Sequence, residues 1–358
     1  MHTDTVVTKK VQEIPGVMLD IIRLCASLIV LVIHAYGQWY PPLSRIDQKD
    51  NLAHEAVIIF FVLSGLVIAY TTQVNNRGTR QYAKARLSRL YSMVLPAILL
   101  TAAIEVFIIN YNPIVAESIS RGFAPLRYVS SMMFMNEIWF FSTAPLLNGP
   151  LWSLSYEFWF YVIWGLWFFR HKSKYSWILI IAGVLIAGPK ILLMMPIWIF
   201  GALAYLAPKI KINKNEGVFI LAILIILLIS IIYYVPPYPM IIGSTPLTWA
   251  AQFLTDWLTG LVIASIMYIT LCWDIPKMQS PKNGILRKIA DLTFPIYVFH
   301  YPLLRLWGAS FGFSEGNLLE CVVVSLMVLF LCTIIGFYLE SRKNLWDSGI
   351  NKILHYIK

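Results

Sequence analysis

The stretch LDIIRLCASLIVLVIHAYG, residues 19–37, decides the fold class. It is apolar and long enough to span a bilayer, yet it carries Arg23 and His34. At about 100° per residue, the eleven-residue separation is three turns plus about 20°, so both side chains fall on one helix face. Along the axis they lie roughly 16 Å apart, about half the hydrocarbon thickness. Ser27 sits between them on that face, and Asp20 and Gln38 extend the stripe at its ends. Ionisable groups inside a span are costly, so an aligned set marks a functional face. A plainer reading pairs Arg23 with Asp20 at i,i+3 and leaves His34 bonded to nearby backbone, but it gives no reason for the alignment.

Composition points the same way. Of 358 residues, 59% are hydrophobic and only 13% charged, against about 25% charged in a soluble domain. The chain reads as an all-α polytopic membrane protein. Its net charge of +10 is no signal for nucleic acid, because the basic residues collect in short loops, where they set orientation. Cys25, Cys272, Cys321 and Cys332 have no metal-like spacing and read as small core residues. Residues 1–16 lack a signal-peptide layout and read as a cytoplasmic N-terminal segment.

Hydropathy predicts about ten transmembrane helices, near 17–38, 54–74, 90–110, 149–169, 175–190, 191–207, 216–235, 250–272, 291–309 and 317–340. Gly188-Pro189-Lys190 leaves only a tight turn between the fifth and sixth. Loops on one side carry 21 Lys and Arg; the opposite loops carry five, Arg45, Lys49, Arg121, Arg127 and Lys190. The bias predicts both termini in the cytoplasm. Residues 1–358 form a single integral-membrane domain with 341–358 as a cytoplasmic tail. The segment near 123–147, apolar but interrupted by Asn136 and Glu137, is expected to lie in the interface or re-enter the membrane.

This topology puts Arg23 low, near the inner face, with Arg86 and Arg89 at the inner mouth of the third helix. His34 and Glu157 share the outer half. Arg86 and Arg89 stand at i,i+3, and two guanidinium forks on one face suit phosphate. On charge alone, positive-inside bias with lipid-headgroup contact is the plainer account of them. Ser64-Gly65 makes a small pair for close helix packing; a nucleophilic Ser64 has no readable base beside it. Ser153, Glu157 and Tyr161 form a polar stripe on an aromatic helix. Glu157 either orients a base such as His34 or bonds across helices as a neutral acid. His300 reads as a satisfied polar residue, with a catalyst as the rival. Asp256, Glu105 and Arg305 fall in the outer half, where they pair with one another or line a groove. Outer-face Trp and Tyr form an aromatic belt, and some could stack on sugar rings.

Taken together, Arg23 with ten residues before His34, FFVLSG at 60–65, Arg86-Leu-Ser-Arg89, WSLSYEFWFY at 152–161 and FPIYVFHYPL at 294–303 resemble the acyltransferase 3 family. Ile58 and Ser92 depart from its usual pattern around the Phe pair and after the arginine pair. The resemblance implies a bacterial inner-membrane enzyme moving an acyl group, most often acetyl, from acetyl-CoA or another acyl-CoA to a glycan or lipid-linked saccharide. It implies His34 as the catalytic residue, Glu157 as an active-site carboxylate, and Arg23, Arg86 and Arg89 as donor contacts. Membrane lipids are the other expected partner; neither a metal nor nucleic acid is expected. The rival from another class is a transporter or flippase using the same charges as a path, although no internal repeat is visible. A non-catalytic membrane scaffold leaves the aligned charges without a purpose.

Overall fold

The computed structural model describes residues 16–41, 52–74, 78–119, 122–273 and 284–356. These are 83% helical, and an isolated bridge between Ile212 and Trp273 is the sole β pairing among them. The principal helices are α1 (Gly16–Trp39), α2 (Leu52–Val74) and α3 (Thr79–Tyr111), then short α4 (Pro113–Ile119) and α5 (Ala124–Met132). There follow α6 (Trp152–Phe168), α7 (Ser176–Leu206), α8 (Lys214–Tyr234) and α9 (Phe253–Cys272). The last are α10 (Ile285–Asp291), α11 (Thr293–Phe311), α12 (Leu318–Ser341) and α13 (Lys343–Tyr356). Seven of them, α1, α2, α3, α7, α8, α9 and α12, are long and apolar enough to cross a membrane.

Helix α2 is the spine of the bundle, with most of its residues buried. It crosses α7 at backbone contact. A Cβ at Gly65 would overlap the Trp198 carbonyl, and one at Gly201 would overlap the Val62 carbonyl. Helices in lipid gain most of their association from such close packing, since apolar side chains gain little by leaving apolar lipid. Gly65→Ala or Gly201→Ala should therefore part the helices and destabilise the fold by about 1–3 kcal/mol. Thermal unfolding in detergent, with Gly149→Ala as the control where a Cβ meets open space, measures this. Equal melting of all three variants would show that the crossing carries no weight.

Helix α7 is broken at Gly188, whose φ of 76° and ψ of 179° lie where a side chain is strained. Pro189 follows and cannot continue the preceding ladder. The break falls at the expected boundary between the fifth and sixth helices, and it admits the Trp139 backbone, whose N–H donates to the Ala187 carbonyl (3.1 Å). Next to it Lys190, read from sequence as a loop charge, is fully buried. Its ammonium donates to Glu137 Oε2 (2.5 Å), the Phe141 carbonyl (2.6 Å) and Ser142 Oγ (2.7 Å). This tie explains Glu137 inside an apolar segment: a buried charge persists when paired and hydrogen-bonded. Residues 133–145 are thus pinned to the bundle.

Other details depart from expectation. Helix α3 starts at Thr79 rather than near residue 90, which makes it about 50 Å long. Its polar beginning is supported by protein contacts: the Tyr82 hydroxyl donates to the Tyr161 carbonyl (2.9 Å), and Arg80 donates to the Asn351 carbonyl (3.1 Å) of α13. The expected tail is therefore largely a helix docked on α3. Cys25 is exposed on the outside of α1, so it is no core residue, whereas the other three cysteines are buried.

Candidate active site

Helix α1 carries Arg23 and His34 to two adjoining cavities. Arg23 lines the first with Ser64, Arg89, Glu157, Tyr161 and Tyr297. His34 lines the second with His54, Trp152, Trp249, Tyr297 and Tyr301. Val57 and Tyr297 belong to both linings. Tyr297 is fixed by its hydroxyl, which donates to the Pro150 carbonyl (2.9 Å) and lies 2.7 Å from Ser153 Oγ.

The arginine cavity sets cations against a carboxylate. Glu157 accepts from the Tyr161 hydroxyl and from Ser64 Oγ (3.1 Å), and the Trp198 indole N–H donates to Ser64 Oγ (3.2 Å). Arg23 and Arg89 line the same cavity as this carboxylate. Arg23 and Arg89 bear on each other as like charges. Arg86 does not share this cavity. It lines a separate groove between α3, α6 and α7 with Tyr82, Tyr161 and Lys172. Its guanidinium donates to Thr71 Oγ1 (3.2 Å) and lies within 6 Å of the Tyr82 and Tyr161 ring centres, at 5.8 and 5.9 Å. A joint fork of Arg86 and Arg89 is therefore not formed. Tyr161 belongs to both linings, so the two arginines reach neighbouring but separate spaces.

The expected pairing of His34 with Glu157 is also not formed among the described residues. His34 Nδ1 lies 2.8 Å from His300 Nε2, with the rings parallel at a 5.2 Å centroid distance. His300 is fully buried, and its Nδ1 lies 2.9 Å from the Ile296 carbonyl one turn back. Tyr301 packs edge-on against His34 at 5.3 Å. The α11 segment bearing His300 is held by a compensation: Pro302 cannot donate to the Val298 carbonyl, and Asn148 Nδ2 does so instead (3.0 Å).

Sequence reasoning missed a third histidine. His54 Nε2 lies 3.0 Å from Asp256 Oδ2, and the Gln252 amide donates to Asp256 Oδ1 (2.8 Å). The His54 ring stacks on Trp152, which stacks on Trp249 at 5.0 Å. Nothing in the spacing signals a pair separated by 202 residues. Asp256, Glu105 and Arg305 do not pair with one another: Glu105 accepts from the Tyr128 hydroxyl and Arg305 donates to Gln38 Oε1 (3.3 Å). Nor does Asp20 pair with Arg23; it accepts from Arg287 (3.0 Å). Among the described residues no group of His, Cys, Asp and Glu is placed to hold a metal ion.

The chain is thus a helical membrane bundle with a histidine-lined cavity beside an arginine-lined one. The chain belongs to the acyltransferase 3 family, whose acyltransferase domain matches residues 18–337. It is 24% identical over 350 residues to an O-acetyl transferase of Shigella phage Sf6, covering 90% of this chain and 94% of that protein. It is 23% identical over 333 residues to acyltransferase MdmB of Streptomyces mycarofaciens, covering 82% of this chain and 81% of that one. No solved structure matches it.

Proposed function

We propose that this acyltransferase takes an acyl group, acetyl above all, from acyl-CoA on the cytoplasmic side and delivers it to a saccharide hydroxyl reached from the outer side of a bacterial inner membrane. The reading includes a ten-segment topology with both termini inside, supported by the 21-to-five loop asymmetry and the break at Gly188. The observation that carries it is the His34–His300 hydrogen bond on the wall of a cavity that adjoins the arginines.

Arg23 and Arg89 suit the anionic part of the donor, with charge-assisted hydrogen bonds to phosphate. Val57, Phe60, Val67 and Leu154 give the same cavity an apolar sleeve for the thin arm that bears the thioester. Arg86, in its own groove, serves a more distal phosphate. Glu157 supplies the carboxylate that shares the cavity with Arg23 and Arg89. The aromatic walls of the histidine cavity suit the C–H faces of a sugar ring, whose hydroxyl His34 addresses. The neutral His34 imidazole takes the hydroxyl proton as the oxygen attacks the thioester carbonyl. The C–O bond forms, the C–S bond breaks, and the thiolate leaves with the proton that His34 returns.

The test is label transfer in vesicles holding the purified protein. Acyl-CoA carrying a labelled acyl group is supplied on the cytoplasmic side and a lipid-linked saccharide on the other. Label should appear covalently on the saccharide. Movement of either substrate without covalent change would replace this reading with a transporter.

A further inference from the structure

We propose that His300 is a positioning residue that fixes the proton of His34 on Nδ1, leaving His34 Nε2 as the lone pair that meets the acceptor hydroxyl. The inference deepens the reading of His34 as the base and rests on it for the catalytic consequence, though not for the protonation pattern itself.

The argument starts from an acceptor that cannot change roles. The Ile296 carbonyl only accepts, so His300 Nδ1, 2.9 Å away, carries the proton. In the neutral ring the other nitrogen, Nε2, is then a lone pair. His34 Nδ1 lies 2.8 Å from that lone pair and must donate to it. Its own Nε2 is left without a proton. Each assignment follows from the one before, and the chain is anchored at the backbone.

The geometry keeps the chain in register. His300 is buried, and its ring lies edge to edge with that of His34, with 4° between the ring planes, so the donor and the lone pair point at each other. Tyr301 packs against the His34 ring with 75° between the planes, and Asn148 holds the carbonyl that Pro302 leaves open. Neutral imidazole in water prefers its proton on Nε2, the nitrogen that a base must keep free. A base here needs a partner that reverses this preference. Catalytic histidines elsewhere use a carboxylate for the purpose. Glu157 is engaged by Ser64 and Tyr161 instead, and a second histidine tied to a backbone carbonyl does the same work without burying a negative charge.

Nitrogen-15 NMR of histidine-labelled full-length protein in lipid nanodiscs reads the protonation directly, with His34→Gln and His300→Gln giving the assignments. Both His34 and His300 should show a protonated Nδ1 and a bare Nε2. In His300→Leu, the His34 proton should move to Nε2, and kcat should fall about 100-fold while KM for both substrates stays within about threefold. His300→Gln, whose amide oxygen can accept from His34, should keep activity between the two and covers the case in which His300→Leu fails to fold. A protonated Nε2 on His34 in the wild type would overturn the proposal, as would full kcat in a folded His300→Leu. If the wild type transfers no acyl group, the acyltransfer mechanism fails while the NMR pattern still decides the proton's place.

Discussion

His34→Ala should lose acyl transfer by about 10²–10⁴-fold while still binding acyl-CoA, because removing a general base slows the chemical step and leaves the donor contacts in place. His34→Gln keeps a polar group of similar reach but takes no proton, so it should be nearly as inactive. Initial rates of label transfer, with membrane insertion measured in parallel, check both. The structure also alters what Glu157 should do. Its bonds run to Ser64 and Tyr161, on the arginine side of Tyr297. Glu157→Gln should therefore act mainly on KM for the donor, and its free-energy effect should add to that of His34→Ala. Strong non-additivity would restore the direct pairing that the sequence suggests. Substantial transfer by His34→Ala would falsify the base role and move attention to Ser64, whose hydroxyl lies 3.1 Å from a carboxylate.

Donor affinity should depend on the shared cavity rather than on the local arginine motif. Loss of one charge-assisted contact costs ~1.5–3 kcal/mol, or about 10- to 150-fold in Kd. Arg23→Ala and Arg89→Ala should each fall in that range, and the double variant should weaken binding further than either. Arg86→Ala should do less, since Arg86 lines a different groove. Lysine at 23 or 89 should rescue only partly, because an ammonium lacks the two-pronged donor face of guanidinium. Calorimetry of acyl-CoA binding in nanodiscs separates these cases. An unchanged Kd in the Arg23/Arg89 double variant would end the phosphate role.

How far the sequence reaches depends on the range of each interaction. The apolar runs and the Arg23–His34 alignment are local properties, readable from periodicity and spacing. So is the break in α7, because Gly188-Pro189 writes it into the backbone. Pairings between helices have no such signature. His34 finds a partner 266 residues away, and His300 alone reads as a satisfied polar residue. Lys190 looks like a loop charge until Glu137 and Ser142 close around it. Arg86 and Arg89 show the limit within one helix: spacing puts them on a common side, but only the position of Tyr161 reveals that this side is divided.

The double use of Val57 and Tyr297 has an electrical consequence. An enzyme that hands a group from one face of a membrane to the other puts polar space on both sides of a thin partition. A potential of 100 mV does about 2.3 kcal/mol of work on each elementary charge that crosses, so a continuous thread of water would discharge the cell. Here the partition is made of side chains, and its aromatic member is pinned by Pro150 and Ser153. On the proposed transfer, the acyl arm has to pass these two side chains to reach His34. On that reading the seal between the two cavities depends on Tyr297 and its bonds to Pro150 and Ser153, and a smaller residue there should raise ion leakage through the protein in vesicles.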